Sequence, residues 1–198
     1  MTLISWITVP TALSLIRLVG SPIAIVAALV SWPGVTWIII LCLVLTDWLD
    51  GMIARLWHQE TATGSLIDTV ADVALGIAMV ACLVILVSDQ IWAYRYGIAV
   101  VGGSYLASVS FSLFKFRRWP AYHTYLAKGG MVLVSLAGLS LLSIPTNFPF
   151  PWVEWPTLLA LITVTIGNFE ACAITGLLQR PQSNVPSWWL LWRQSKRH

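Results

Sequence analysis

Six long apolar runs constrain this chain more than any other feature. They lie at roughly 11–31, 36–56, 66–88, 91–114, 124–144 and 156–178. Each is long enough to cross a bilayer, for which an α-helix needs about 20 mostly apolar residues. Inside lipid the backbone polar groups must be satisfied within their own segment, so runs of this kind become helices. Only 10% of the 198 residues are charged, against roughly 25% in a soluble domain. The polar surface needed to face water is missing. The expected class is an all-α membrane protein of six transmembrane helices, one domain over residues 1–198, with short amphipathic segments at both ends.

The breaks between runs are chemically clear. Pro33-Gly34 separates the first two, and Pro145, Pro149, Pro151 and Pro156 fill the stretch between the last two, where a missing backbone donor does little harm. The first run is long enough to span and carries no small-residue cleavage site, so it reads as an uncleaved span. Gly102, Gly103, Ser104, Gly129 and Gly130 are expected to let helices approach closely. Cys42, Cys82 and Cys172 are far apart and lack metal-ligand spacing. They read as small hydrophobes buried in the membrane.

Positive charge sets the expected direction. Arg55 and His58 follow the second run; Lys115, Arg117 and Arg118 follow the fourth; Arg180, Arg193, Lys196 and Arg197 follow the sixth. The opposite ends offer only Arg95, near Asp89, and Glu154. By the positive-inside rule both termini are expected in the cytoplasm. Tryptophans gather near both sets of run ends, as an aromatic belt would place them. The tail at 180–198, ending SWWLLWRQSKRH, reads as a basic interfacial segment against anionic lipid. The formal net charge of +3 thus has a membrane explanation, and no nucleic-acid partner is expected.

Four of the five aspartates fall between positions 47 and 72, in DWLDGMIARLWHQETATGSLIDTVAD. With ~100° per residue, Asp47, Asp50 and Ala54 share one helix face, with Arg55 beside it. Asp68 and Asp72 are four apart and share a face in the first turns of the third run. A turn through Thr61–Gly64 would return the helix antiparallel and aim four carboxylates into one pocket at the membrane edge. Acidic groups at that depth are costly unless paired or hydrated. Arg55 is the one assured neighbouring cation, with Arg17 and Lys128 available only if the fold delivers them. Three readings remain open on charge alone: divalent cations, an ion-pair network, or a path for protons or ions. Clustered hard oxygens suit Mg²⁺ or Mn²⁺ rather than zinc. Gly51, Ala54 and Gly64 keep bulk away from the acids, Arg55 offers a fork suited to phosphate, and Thr61 offers a hydroxyl. Two metals a few ångströms apart can clamp a pyrophosphate, and a carboxylate can take the proton of an attacking hydroxyl.

These residues, Asp47-x2-Asp50-Gly51-x2-Ala54-Arg55-x8-Gly64-x3-Asp68-x3-Asp72, resemble the signature of the CDP-alcohol phosphotransferase family. Eight fixed residues at fixed spacing arise by chance on the order of 10⁻¹⁰ per starting position. The six-run layout resembles the family as well. The resemblance implies a six-helix membrane enzyme, often a homodimer, with two divalent cations (Mg²⁺ or Mn²⁺) in a site open to the cytoplasm, here of a bacterial inner membrane. It implies that Asp47, Asp50, Asp68 and Asp72 ligate the metals and that Asp72 activates the acceptor hydroxyl. Gly51, Ala54, Arg55, Thr61 and Gly64 would meet a CDP-lipid donor such as CDP-diacylglycerol, with CMP leaving. The acceptor would be an alcohol or phosphorylated alcohol, and the basic residues Lys115, Arg117, Arg118 and Lys128 favour glycerol 3-phosphate.

Beyond the motif, VPTALSLIRL is similar to the family's entry into its first span. It makes Ser14 and Arg17 candidates for phosphate contact, although Arg17 reads equally as a positive-inside anchor. Lys128 is a candidate acceptor contact or a snorkelling lysine, and Glu170 beside Asn168 a structural hydrogen-bonding group or a substrate contact. A small ion transporter is the competing class, and a catalytically silent assembly partner another. The strong acids are confined to one end of runs two and three, which argues against a through-path.

Overall fold

The computed structural model describes residues 9–57, 62–117, 124–146 and 152–178. Their secondary structure is helical throughout, without a strand among the described residues. The helices are α1 (Val9–Leu29), α2 (Pro33–Trp57), α3 (Ala62–Leu86), α4 (Ser88–Ala93), α5 (Arg95–Phe116), α6 (Tyr125–Ser143) and α7 (Glu154–Leu177). All but α4 are long and apolar enough to cross a membrane, so the six expected spans are present. The tail at 180–198 lies outside the described residues, as do Thr61, Arg118 and His123.

Local chemistry explains the boundaries. After α1, Ser31 adopts the left-handed conformation with φ 59°. The Trp32 amide reaches back to the Ala27 carbonyl and the Ser31 amide to that of Ala28, both at 3.0 Å. This is the Schellman closure, which satisfies carbonyls left free at a helix end. Pro33 then opens α2, where a residue without an amide hydrogen loses nothing. Two boundaries differ from expectation. The third helix starts at Ala62, so Ala62–Gly64 are helix rather than turn. The fourth span starts at Arg95, because 88–93 form a short helix of their own.

The described residues divide into two compact units, those of 9–91 with 138–146, and those of 92–137 with 152–178. In the first, α1 packs against both α2 and α3, which touch each other far less. The core joins Ala24 and Ala28 of α1, Ile40 and Leu43 of α2, Leu75, Ala78, Met79 and Cys82 of α3, and Leu139 and Leu142 from the end of α6. Trp37 Nε1 donates to the Leu139 carbonyl at 2.9 Å. In the second unit, α5 and α7 pack together. Ser104, Ser108 and Ser112 are buried along one face of α5, and Asn168 Nδ2 donates to Ser104 Oγ at 2.9 Å.

The exposed side of α3 is Leu66, Val70, Val73, Ile77, Val80 and Val84, whereas its buried positions include Ala71, Ala78 and Cys82. An outward face of large apolar side chains departs from the pattern of a water-soluble helix, and such a face is at rest only in lipid. The protein is an integral membrane protein.

Small residues bring helices together, but not all those expected. A Cβ on Gly102, Gly103 or Gly129 would meet nothing within 4 Å. Close approach occurs at Gly20, where a Cβ would lie 2.6 Å from Leu43 Cδ2, at Gly97 against Leu161, and at Gly138 against Met79. Gly97 lies seven residues before Ser104, on the face α5 turns to α7, whereas Gly102 and Gly103 fall off that face. Of the cysteines, Cys82 is buried in the protein, and Cys42 is exposed on the outside of the membrane-crossing helix α2.

Candidate active site

The four motif aspartates converge within the first unit. Asp47 and Asp50 sit three apart on α2, and Asp68 and Asp72 four apart on α3. Both spacings return a side chain to the same face of a helix. One carboxylate oxygen from each of Asp47, Asp50 and Asp68 lies within 4.8 Å of the other two, an arrangement that could hold a metal ion.

The fold delivers Arg17 to the centre of this group. Arg17 stands on α1 between Ser14 and Ser21, and all three are buried. Nη1 donates to Oδ1 of Asp47 and of Asp72. Nη2 donates to Oδ2 of Asp50 and Oδ1 of Asp68. Ser14 Oγ lies 3.3 Å from Nη2, 3.4 Å from the Asp50 carboxylate and 3.3 Å from that of Asp68. The positive-inside reading of Arg17 is therefore incomplete: its side chain is fully buried, bridging four acids. Its remaining donor, Nε, is buried without a hydrogen-bond partner among the described residues.

Exposure separates the acids. The Asp50 side chain is 5% exposed, whereas those of Asp47, Asp68 and Asp72 are 45–47% exposed. The cluster is thus sealed on the Asp50 side and open on the other. A guanidinium carries one positive charge, so these four carboxylates retain a surplus of about three negative charges when ionised. The donor set of hard, anionic oxygens fits a divalent ion of the Mg²⁺, Mn²⁺ or Ca²⁺ type.

The other candidates stand as follows. Gly51, Ala54 and Arg55 lie on α2 directly after the acids, and Gly64 in the first turn of α3. Lys128 is an exposed residue near the start of α6. Lys115 is engaged elsewhere: its Nζ donates to the Thr175 and Gly176 carbonyls at the end of α7, each at 2.8 Å, which suits a cation at a helix C-terminus. Glu170 is buried on α7. The close tie of Ser14 to the acids is what sequence reasoning missed. Its signal was the Ser14, Arg17, Ser21 stripe, spaced three and four apart along an otherwise apolar helix.

A CDP-diacylglycerol–glycerol-3-phosphate 3-phosphatidyltransferase of Escherichia coli (strain K12) is 42% identical over 79 residues, covering 36% of this chain and 42% of that protein. The protein of the same name from Salmonella choleraesuis is 40% identical over 76 residues, with the same coverage. That from Haemophilus influenzae is 36% identical over 85 residues, covering 41% of this chain and 44% of the relative. The matches thus take in less than half of each relative's length. No solved structure matches the chain. The sequence profile of the CDP-alcohol phosphatidyltransferases, by contrast, spans residues 7–167 and includes both the four acids and Arg17. This chain belongs to the CDP-alcohol phosphatidyltransferase family.

Proposed function

We propose that this protein transfers the phosphatidyl group of CDP-diacylglycerol to glycerol 3-phosphate and releases CMP, a step of phospholipid biosynthesis. The observation that carries this reading is the convergence of Asp47, Asp50, Asp68 and Asp72 on one half-open point, at the spacing characteristic of the family. The names of the relatives from Escherichia coli and Salmonella support the choice of donor and acceptor.

In this reading Asp47, Asp50, Asp68 and Asp72 hold two divalent cations, Mg²⁺ or Mn²⁺. When bound, the ions neutralise the pyrophosphate of the donor and the charge developing on the leaving phosphate. Arg55 grips a donor phosphate through its planar fork, and Gly51, Ala54 and Gly64 leave room for the nucleotide beside the acids. Thr61 supplies a hydroxyl to the donor. Asp72 accepts the proton of the acceptor hydroxyl. The acceptor oxygen bonds to the phosphorus carrying the lipid, the bond from that phosphorus to the CMP oxygen breaks, and the product phosphodiester stays in the membrane. Ser14, Arg17 and Lys128 are further candidates for phosphate contact. The site faces the cytoplasm of a bacterial inner membrane, both termini lie on that side, and the single domain works as a homodimer with its basic tail at the lipid surface.

The test is direct. Purified protein is incubated with CDP-diacylglycerol, Mg²⁺ or Mn²⁺, and glycerol 3-phosphate, inositol phosphate, serine or phosphatidylglycerol in turn, and CMP is measured. Release is expected with glycerol 3-phosphate and is expected to stop with EDTA. Release with a different alcohol alone would replace the acceptor, and no release with any would refute the activity.

A further inference from the structure

Arg17 stands in the middle of the acids that could hold an ion. Its two terminal nitrogens reach carboxylate oxygens of all four motif aspartates, among them the three acids whose oxygens lie within 4.8 Å of one another. An ion held by that triad needs lone pairs on the same carboxylates, and the guanidinium has no acceptor with which to join a coordination shell. Two cations forced together would also repel. The arrangement has a weakness too, since Nε is buried without a hydrogen-bond partner among the described residues, where an unmet donor is unfavourable.

We propose that Arg17 is the resident cation of this site. It holds the four carboxylates together until a divalent ion arrives, and the ion and the guanidinium then compete for the same oxygens. The inference rests on the reading of the cluster as a metal site. Loading an ion requires the guanidinium to swing away from the carboxylates on its flexible stem. The half-open side, where Asp47, Asp68 and Asp72 are 45–47% exposed, gives it a way out. Its released donors are then free to meet a phosphate. A cluster with its own counter-ion avoids an uncompensated surplus of four charges at membrane depth while metal is scarce.

The experiment uses the full chain in detergent and Mn²⁺ alone, with bound ion measured by electron paramagnetic resonance and stability by thermal unfolding in EDTA. Arg17→Met removes the competitor. It is expected to bind Mn²⁺ at least tenfold more tightly than the unaltered protein, to unfold at a lower temperature in EDTA, and to recover when Mn²⁺ is added. Arg17→Lys keeps a charge but cannot bridge four acids, so it is expected to bind Mn²⁺ with intermediate affinity. It carries the test if the methionine variant does not fold. Equal or weaker Mn²⁺ binding by these variants would make Arg17 a partner of the ion and overturn the competition. An unchanged unfolding temperature in EDTA would overturn the resident role. Absence of Mn²⁺ binding by all three proteins would instead remove the metal site itself, and the competition with it.

Discussion

Within the cluster the acids are not equivalent, and substitution should show it. Asp72 is half exposed and meets Arg17 through Oδ1, so a substrate can reach its carboxylate. Asp72→Asn keeps the shape and removes the basicity, so turnover is expected to fall by about 10²–10⁴-fold, the usual contribution of a general base. Asp50 is sealed against Arg17 and Ser14. Asp50→Asn is therefore expected to lower both CMP release and the stability of the metal-free protein, because a buried ion pair loses a partner. A steady-state CMP assay and thermal unfolding in EDTA, run on both variants, check the contrast. Equal loss of stability in the two would remove the distinction drawn from burial. The carboxylates themselves were legible in the sequence, since their spacing alone puts them on shared faces. Arg17 was not, because charge balance along a chain reveals a shortage of cations without saying which helix will supply one.

Helix packing shows the same limit one level up. The six spans could be read from hydropathy, whereas Pro33 and Gly34, read as the break before the second, are its first two residues. Which glycines serve as contacts could not be read, because close approach depends on which side of a helix meets its neighbour and which meets lipid. Gly20 is the informative case in the unit that carries the site. The nearest atom to an added Cβ is the tip of Leu43, which can turn aside, so Gly20→Ala should be nearly neutral. Gly20→Leu fills space that Leu43 already occupies and should destabilise by about 1–3 kcal/mol, as overpacking does. Because α1 also carries Arg17, the larger side chain should lower CMP release in parallel with stability. Thermal unfolding of the two variants, read beside their CMP assays, tests this. An unaffected Gly20→Leu would mean that α1 and α2 are free to part there.

Across the whole chain, the proposed orientation follows from basic residues at one set of helix ends, and an even number of spans returns the chain to its starting side. A green fluorescent protein fused after His198 is expected to fluoresce in bacteria, and alkaline phosphatase at the same point to stay inactive; the reverse pattern would invert the protein. The order of the helices has a consequence for biosynthesis. Arg17 belongs to the first span, while the acids that neutralise it belong to the second and third. During synthesis a lone arginine must therefore enter the bilayer before any counter-charge exists, at a cost of roughly 2.5–3.5 kcal/mol if held at mid-depth. The nascent α1 should linger at the insertion machinery, or keep its guanidinium near the headgroups, until α2 and α3 have followed it. Assembly of the site is in that sense the last step of membrane insertion for this part of the chain.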